Sequence, residues 1–497
     1  MKRQAYNPYL PLDTYIPDGE PHVFGDRVYV YGSHDKEGGE YYCMLDYECW
    51  SAPVKDLTDW RCEGTIYRAE QCRHYCEERQ DMYAPDVVRG NDGRYYLYYD
   101  LSGRDGHGFD GPISVAVCDT PAGKYEYYGD VRYPDGKPMT RFIPFDPAVI
   151  NDEGRIWLYY GWGLGYDFSD PSQQPMFHQV MSGIFNKTVE EIRSEKESVL
   201  GANAVELEED MLTVKTEPKR ILPATTMAPK GTEIYDHSFY EAASIRKIKD
   251  TYYFIYSSKE GHELCYATSK FPDRDFTYRG VIISNGDIGY RGRKPEDRLA
   301  VTGTNHGSIE SIDGRYYIFY HRSTHNSLSS RQGCAEPIVI ESDGTIQQVE
   351  MTSCGLNGGP LAASGIYPAA IACNLTNGKA HHLSATEKNP DIANITHDKE
   401  DRFIGNIENG TSIGFKYFLF SGNEKLCVTT RGKGHGKFLV STEMDGSVLA
   451  EIPVVASEVW QRSEQAEIPG NGGEHALYLK YAGDSSISLL NIEFCCL

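Results

Sequence analysis

The sequence predicts an all-β protein: a five-bladed β-propeller followed by a jelly-roll-like β-sandwich. Three observations predict this. A turn followed by an aromatic strand recurs five times, a polar residue stands at a matched distance ahead of each recurrence, and the chain changes character after residue 352. At 497 residues the chain is long enough for two or three domains. Its 37 tyrosines, many alternating with aliphatic residues, favour sheets over helices.

The recurring segments are "FGDRVYVYGSHD" (24–35), "NDGRYYLYYD" (91–100), "DEGRIWLYYG" (152–161), "IKDTYYFIYSS" (248–258) and "IDGRYYIFYHR" (312–322). Gly or Asp in a turn followed by period-two aromatics is a hairpin signature. The strand cores begin at Val28, Tyr95, Ile156, Tyr252 and Tyr316, spaced by 67, 61, 96 and 64 residues. The long third gap implies an insertion of roughly 30 residues between about 165 and 235. Repeats of this length, each holding several short strands, are propeller blades.

Each unit also carries a preceding short strand headed by a polar residue: Asp18, Asp86, Asp146, Glu241 and His306, which lie 10, 9, 10, 11 and 10 residues ahead of the strand cores. The first strand of a blade lines the central channel, so these five side chains are expected to converge at one end of it. For any one head a turn or cap role would suffice. Five at one spacing, including a Glu that no turn requires, point to a site.

Net charge and cysteine usage narrow the partners. With 49 basic and 72 acidic residues the formal charge is −23, which repels nucleic acid and anionic membranes and suits a neutral or cationic ligand. The N-terminus has no apolar segment after its basic residues, and no run of 18 apolar residues occurs anywhere. The 13 cysteines show no CxxC spacing, which argues against a cysteine metal cluster. Reduced thiols and a cytoplasmic location are the expectation. The terminal "FCCL" lacks the Cys of a prenylation box.

Carboxylates gathered at one point repel each other, so their pKa values spread and one stays protonated while another ionises. Cleavage of a glycosidic bond needs that pairing: an acid for the departing oxygen and a base for water. Tyr83, Phe145 and Trp162, near the heads, are of a type that stacks on sugar rings, although packing between blades would use them equally well.

In their order along the chain, "YAPDV", "FDPAVI", "EAASIRK", "NHGSI" and "SRQGCAEPI" resemble glycoside hydrolase family 43 over roughly residues 6 to 350. The resemblance implies an inverting exo-glycosidase that removes α-L-arabinofuranosyl or β-D-xylosyl residues from plant-type oligosaccharides such as those of xylan. It implies Asp18 as general base, Asp146 as the residue that tunes and orients the acid, and Glu241 as general acid, with Ala242 and Ala243 leaving the carboxyl room and limiting solvent. An inverting pair stands roughly 6.5–9.5 Å apart to admit a water. Tyr83, Asp86, Phe145, Trp162 and Arg331 are the expected substrate contacts. His306 matches a histidine that faces a metal, usually Ca²⁺, in the central channel, although Ca²⁺ prefers oxygen donors.

The first motif, "PDGEPHVF", departs from the family's Asp-Pro, so Glu20, which precedes Pro21, is an alternative base. Tyr83 stands where the family often has tryptophan. Three other readings stay open or fall. A non-catalytic sugar-binding propeller is the alternative of a different class, and a galactoside-type glycosidase is the alternative within the family. A sialidase-type propeller is excluded, because only "ESDGTI" (341–346) approaches its repeated box.

The propeller is expected over 1–352, with a linker at 353–367 that includes "SCGLNGGPLAASG" and a β-sandwich over 368–497. Through "HALYLKYAG" and its closing strand the sandwich resembles a family 6 carbohydrate-binding module. It is read either as a glycan binder, with Tyr417 and Trp460 as candidate stacking residues, or as a buttress for the propeller.

Overall fold

The computed structural model describes residues 4–102, 111–163, 165, 167–184, 187–194, 200–377, 392–470 and 472–495. The five repeated segments are the second strands of five antiparallel sheets. Blade 1 is Glu20–Phe24, Arg27–Tyr31, Tyr47–Pro53 and Arg61–Tyr67. Blade 2 is Asp86–Arg89, Tyr95–Tyr99, Ser114–Cys118 and Glu126–Asp130. Blade 3 is Ala148–Asp152, Arg155–Trp162, Gly201–Leu207 and Lys219–Pro223. Blade 4 is Phe239–Ile248, Thr251–Ser258, Glu263–Ser269 and Thr277–Ser284, and blade 5 has three strands, Ile309–Ile312, Arg315–Ser323 and Arg331–Ile338. The expected insertion lies within blade 3, ahead of Gly201, and carries the helices Gln174–Ile184 and Val189–Ser194.

The aromatic alternation has a direct physical cause. Successive residues of a strand face opposite sides of its sheet, and a blade is covered on both sides by its neighbours. Leu97 and Tyr99 therefore pack with Tyr31 and Tyr47 of blade 1, while Tyr96 and Tyr98 pack with Leu158 and Tyr160 of blade 3. The same division repeats around the ring: Tyr159 with Phe254, Tyr253 with Ile318, and Phe319 with Val28 and Val30. Each large side chain removed from water in this way contributes about 2 kcal/mol.

Closure falls between blades 5 and 1. Gly19 bridges Gly307, and the N-terminal segment lies along the short blade, with the Tyr9 N–H donating to Gly333 O at 3.3 Å. The Asn7 side chain fixes it by donating to Ala335 O and Glu336 Oε1.

The stretch expected as a linker is largely structural. Leu361–Ala362 pairs in parallel with Ser412–Phe420, and Gly365–Pro368 pairs with Ile487–Cys495, so the sandwich begins before residue 368. Its two sheets enclose a core of Ile404, Phe415, Phe418, Leu477, Leu489 and Phe494. Of its glycines, Gly355 and Gly358 approach Asn7 and Arg315 of the propeller closely, while Gly359 and Gly365 face open space.

Lys416 of the sandwich enters the propeller. Its ammonium lies 2.8 Å from Glu350 and 3.2 Å from Asp287, and its side chain is 1% exposed. Removing one partner of a buried pair leaves an uncompensated charge. Lys416→Ala is expected to destabilise the protein by about 3 kcal/mol, read as a lower denaturant midpoint. An unchanged midpoint would show that water already screens these carboxylates.

Candidate active site

One cavity of about 380 Å³ opens at the strand mouths and takes walls from all five blades. Asp18, Tyr41, Tyr42 and Cys43 come from blade 1, Tyr83 from blade 2, and Phe145, Asp146 and Trp162 from blade 3. Blade 4 gives Tyr240 and Glu241, and blade 5 gives Thr304, His306 and Arg331. Eight of the nine residues singled out in the sequence thus share this cavity.

The carboxylates reach it through backbone kinks. Asp18 and Asp146 have φ of 56° and 49°, and Ala242, next to Glu241, has φ of 68°. This left-handed region costs a non-glycine residue about 1–3 kcal/mol and persists where surrounding contacts impose it. Here they do: the Asp146 N–H donates to Asp100 Oδ2 at 2.7 Å, and the Ala242 N–H donates to Asp146 Oδ2 at 2.9 Å. Asp146 is thereby tied to the strand that carries Glu241.

Asp86 is the exception, and the expectation of a substrate contact there is corrected. It pairs with Tyr98 as Glu20 pairs with Tyr31 and Ala148 with Tyr159, so its true counterparts are Glu20 and Ala148, one step deeper in the channel. The hairpin turn of blade 2 is one residue longer than that of blade 1, and this made a count along the chain look like a match. Its carboxylate is fully buried, accepting from the Val149 N–H at 2.7 Å and lying 2.7 Å from His22 Nε2. Glu20 occupies the same deeper layer, held by Arg246 at 2.8 Å, so Asp18 is the carboxylate of this motif that meets the cavity.

Arg331 sets the electrostatics. Its guanidinium donates to Asp35 through Nε at 2.8 Å and Nη2 at 3.0 Å, and to Asp18 Oδ1 through Nη1 at 2.9 Å. Burial alone would raise the Asp18 pKa, but the charge of Arg331, with His321 and His306 beside it, outweighs burial and holds the carboxyl well below the usual range. Glu241 goes the other way. Burial and the negative charge of Asp18 push it up to about 7, against the opposing pull of Arg331 and a hydrogen bond from Trp162. Asp146 is also raised, by burial and by Glu241, so the two titrate as a pair that retains a proton near neutral pH. Burial pushes His306 down to about 4, leaving a neutral imidazole.

Sequence reasoning missed Tyr41, Tyr42, Cys43, Tyr240 and Thr304 in the cavity wall, together with Asp35 and Asp100 behind it. The first three lie in a loop with no counterpart in the other repeats, so periodicity carried no signal for them. For Asp35 the signal was present, because "GSHD" closes the first repeat as "YYD" closes the second with Asp100.

The donors around His306 suit a hard cation poorly. Asp18 and Asp146 approach its Nδ1 only to 3.8 and 3.9 Å and are engaged by Arg331 and the Ala242 N–H. Among the described residues His306 joins no set of three converging ligand atoms. Calcium, which takes six to eight oxygens, would find one nitrogen here, and no chemistry below is routed through it.

The profile of the family described as glycosyl hydrolases family 43 matches residues 7–346. The chain belongs to that family and is an O-glycosyl hydrolase. It is 45% identical over 508 aligned residues, covering 100% of both chains, to a xylosidase/arabinosidase of Thermoclostridium stercorarium. A xylosidase/arabinosidase of Humicola insolens is 31% identical over 63% of this chain and 89% of its own. Among solved structures, a beta-xylosidase/alpha-arabinofuranosidase from a compost microbial metagenome, in complex with xylotriose, superposes with a TM-score of 0.51. It is 25% identical and covers 70% of this chain and 98% of its own.

Arg331→Gln would leave Asp18 and Asp35 facing each other without a cation. Asp18 contributes stability above its unfolded pKa because its folded pKa is depressed; without Arg331 burial raises it instead. The variant is therefore expected to lose about 3 kcal/mol at pH 7, and the deficit should shrink towards pH 4 as the carboxyls protonate. Urea unfolding at both pH values measures this, and a deficit independent of pH would contradict the assignment.

Proposed function

We propose that the protein is an inverting exo-glycosidase that removes terminal α-L-arabinofuranosyl or β-D-xylosyl residues from plant-type oligosaccharides. One observation carries the mechanism: a carboxylate held ionised by Arg331 shares a cavity with a carboxyl held protonated by burial and by that same negative charge. Asp18 is the base for water, and Glu241 is the acid for the departing oxygen. Asp146, raised by burial and by Glu241 and accepting the Ala242 N–H, shares the proton of the pair with Glu241, the member that delivers it to the departing oxygen. Its Oδ2 also fixes the backbone beside Glu241 and so aims the acid.

Walls from all five blades favour a chain end over a mid-chain segment. Trp162 and Tyr240, with ring centroids 5.8 Å apart, and Tyr83 and Phe145, at 5.5 Å, offer faces to a sugar ring. Arg331 spends most of its donors on carboxylates and keeps one Nη1 hydrogen for a hydroxyl. The full-length likeness to a xylosidase/arabinosidase supports a pentose over a hexose.

The sandwich is read as a buttress. Tyr417 donates to Glu350 at 2.6 Å, while Trp460 donates to Asp401 at 2.8 Å and carries the Arg431 guanidinium 4.2 Å from its ring, so both candidate stacking residues are already engaged. Among the described residues no helix is long and apolar enough to cross a membrane. The twelve cysteines described there stand unpaired, which supports a reducing, cytoplasmic setting for imported oligosaccharides.

Activity requires a protonated Glu241, so kcat/KM should be full on the acid side and fall as pH rises through about 7. Its acid limb should lie below the ordinary carboxylate range, because Asp18 stays ionised there. Glu241→Ala is expected to cut hydrolysis of xylo- or arabino-oligosaccharides by about 100-fold or more, and far less for a 4-nitrophenyl pentoside, whose leaving group needs little protonation. Equal losses on both substrates would remove Glu241 from the acid role. Proton NMR should show the first-formed sugar with inverted anomeric configuration, and retention would exclude water activated by Asp18.

A further inference from the structure

Where the propeller meets the sandwich, three side chains from three distant parts of the chain converge. Glu37 lies in the blade 1 loop that also carries Tyr41, Tyr42 and Cys43. His325 lies between Arg315–Ser323 and Arg331–Ile338 of blade 5, and His397 is in the sandwich strand Asn394–Asp398. We propose that Glu37, His325 and His397 bind a divalent transition metal ion of the zinc class, which fastens the sandwich to the loop forming one wall of the active site.

The distances support this. His325 Nε2 is 2.9 Å from His397 Nδ1, His397 Nδ1 is 3.1 Å from Glu37 Oε1, and His325 Nε2 is 3.8 Å from the same oxygen. Ligands bound at about 2.0–2.1 Å in a tetrahedron stand a little over 3 Å apart, so the three atoms outline one face of such a site. Two histidines and one carboxylate make a donor set that zinc accepts and that calcium does not favour.

The surroundings orient these donors. Thr324 Oγ1 lies 2.9 Å from the Ser330 carbonyl, which only accepts, so the hydroxyl proton goes there. The hydroxyl oxygen, 2.9 Å from His325 Nδ1, then accepts the imidazole N–H. Ser330 Oγ, 3.2 Å away, is a second hydroxyl at Nδ1. With the Nδ1 proton on either one, Nε2 keeps a lone pair aimed at the other two ligands, as in metal sites where the far ring nitrogen is tied to the protein. Arg402 holds the other Glu37 oxygen at 2.8 Å and Tyr15 donates to Oε1 at 3.0 Å, so the carboxylate is set for binding through one oxygen. His397 is 32% exposed, giving an ion a path in and leaving the fourth position to water.

A hydrogen-bonded cluster without metal satisfies these atoms less well. His397 Nδ1 faces both His325 Nε2 and Glu37 Oε1, and a single proton on it serves only one of them.

The full-length protein, stripped with a chelator, should bind one equivalent of Co²⁺ with the intense visible absorption of a tetrahedral site, and Zn²⁺ should displace it. Zn²⁺ at about 100 times its Kd should raise the Tm. His397→Gln and Glu37→Gln should abolish the Co²⁺ band while leaving the circular dichroism unchanged. Thr324→Val, which touches no metal, should weaken binding about 10-fold or more. No stoichiometric binding in the wild type, or an unchanged band in His397→Gln, would overturn the site. Since the readouts are spectral and thermal, they stand apart from the glycosidase reading.

Discussion

Asp18 and Asp35 are both nearly inaccessible to solvent, at 3% and 1%, and the single guanidinium of Arg331 neutralises them together. Arg331 opens the last strand of blade 5, while both aspartates belong to blade 1. The interaction that stabilises the active-site charge is therefore also a clasp across the seam where the ring closes. Remove it, and burial would protonate Asp18, the charge that raises Glu241 would vanish, and the contact between first and last blades would weaken. Ionisation of the base, the charge that helps keep the acid protonated, and one of the contacts that close the propeller thus meet at one residue.

The site is expensive to fold. Left-handed backbone at Asp18, Asp146 and Ala242 and the burial of several carboxylates all oppose stability. Offsetting them are the aromatic layers between blades, where every second strand presents large side chains to both neighbours. A propeller suits this division of labour, because the blades are packed by their faces while the strand mouths are free to carry strained, charged residues.

Much of this was legible in the sequence because both signals are periodic. Alternating aromatics gave the second strand of each blade, and the spacing of the polar heads gave the side chains that converge. The same reliance on counting explains the misplacement of Asp86, since a hairpin one residue longer shifts a carboxylate by one step of the channel, which distance along the chain cannot register. Tyr41, Tyr42 and Cys43 stayed hidden because their loop repeats nowhere. The stretch 353–367 misled for another reason: its Gly and Ala residues look flexible, yet its strands are held by pairing with residues 412–420 and 487–495, far along the chain.

One carboxyl in the cavity keeps its proton near neutral pH because burial and an ionised neighbour hold it there. Infrared difference spectroscopy of the wild type and Glu241→Gln, across a pH titration, tests this most directly. Glu20 and Glu336, buried elsewhere, also hold protons near neutral pH, so the wild-type-minus-variant difference isolates the site: it should show a protonated-carboxyl band below about pH 7 that fades as pH rises through that value. A difference spectrum without such a band near neutral pH would contradict it.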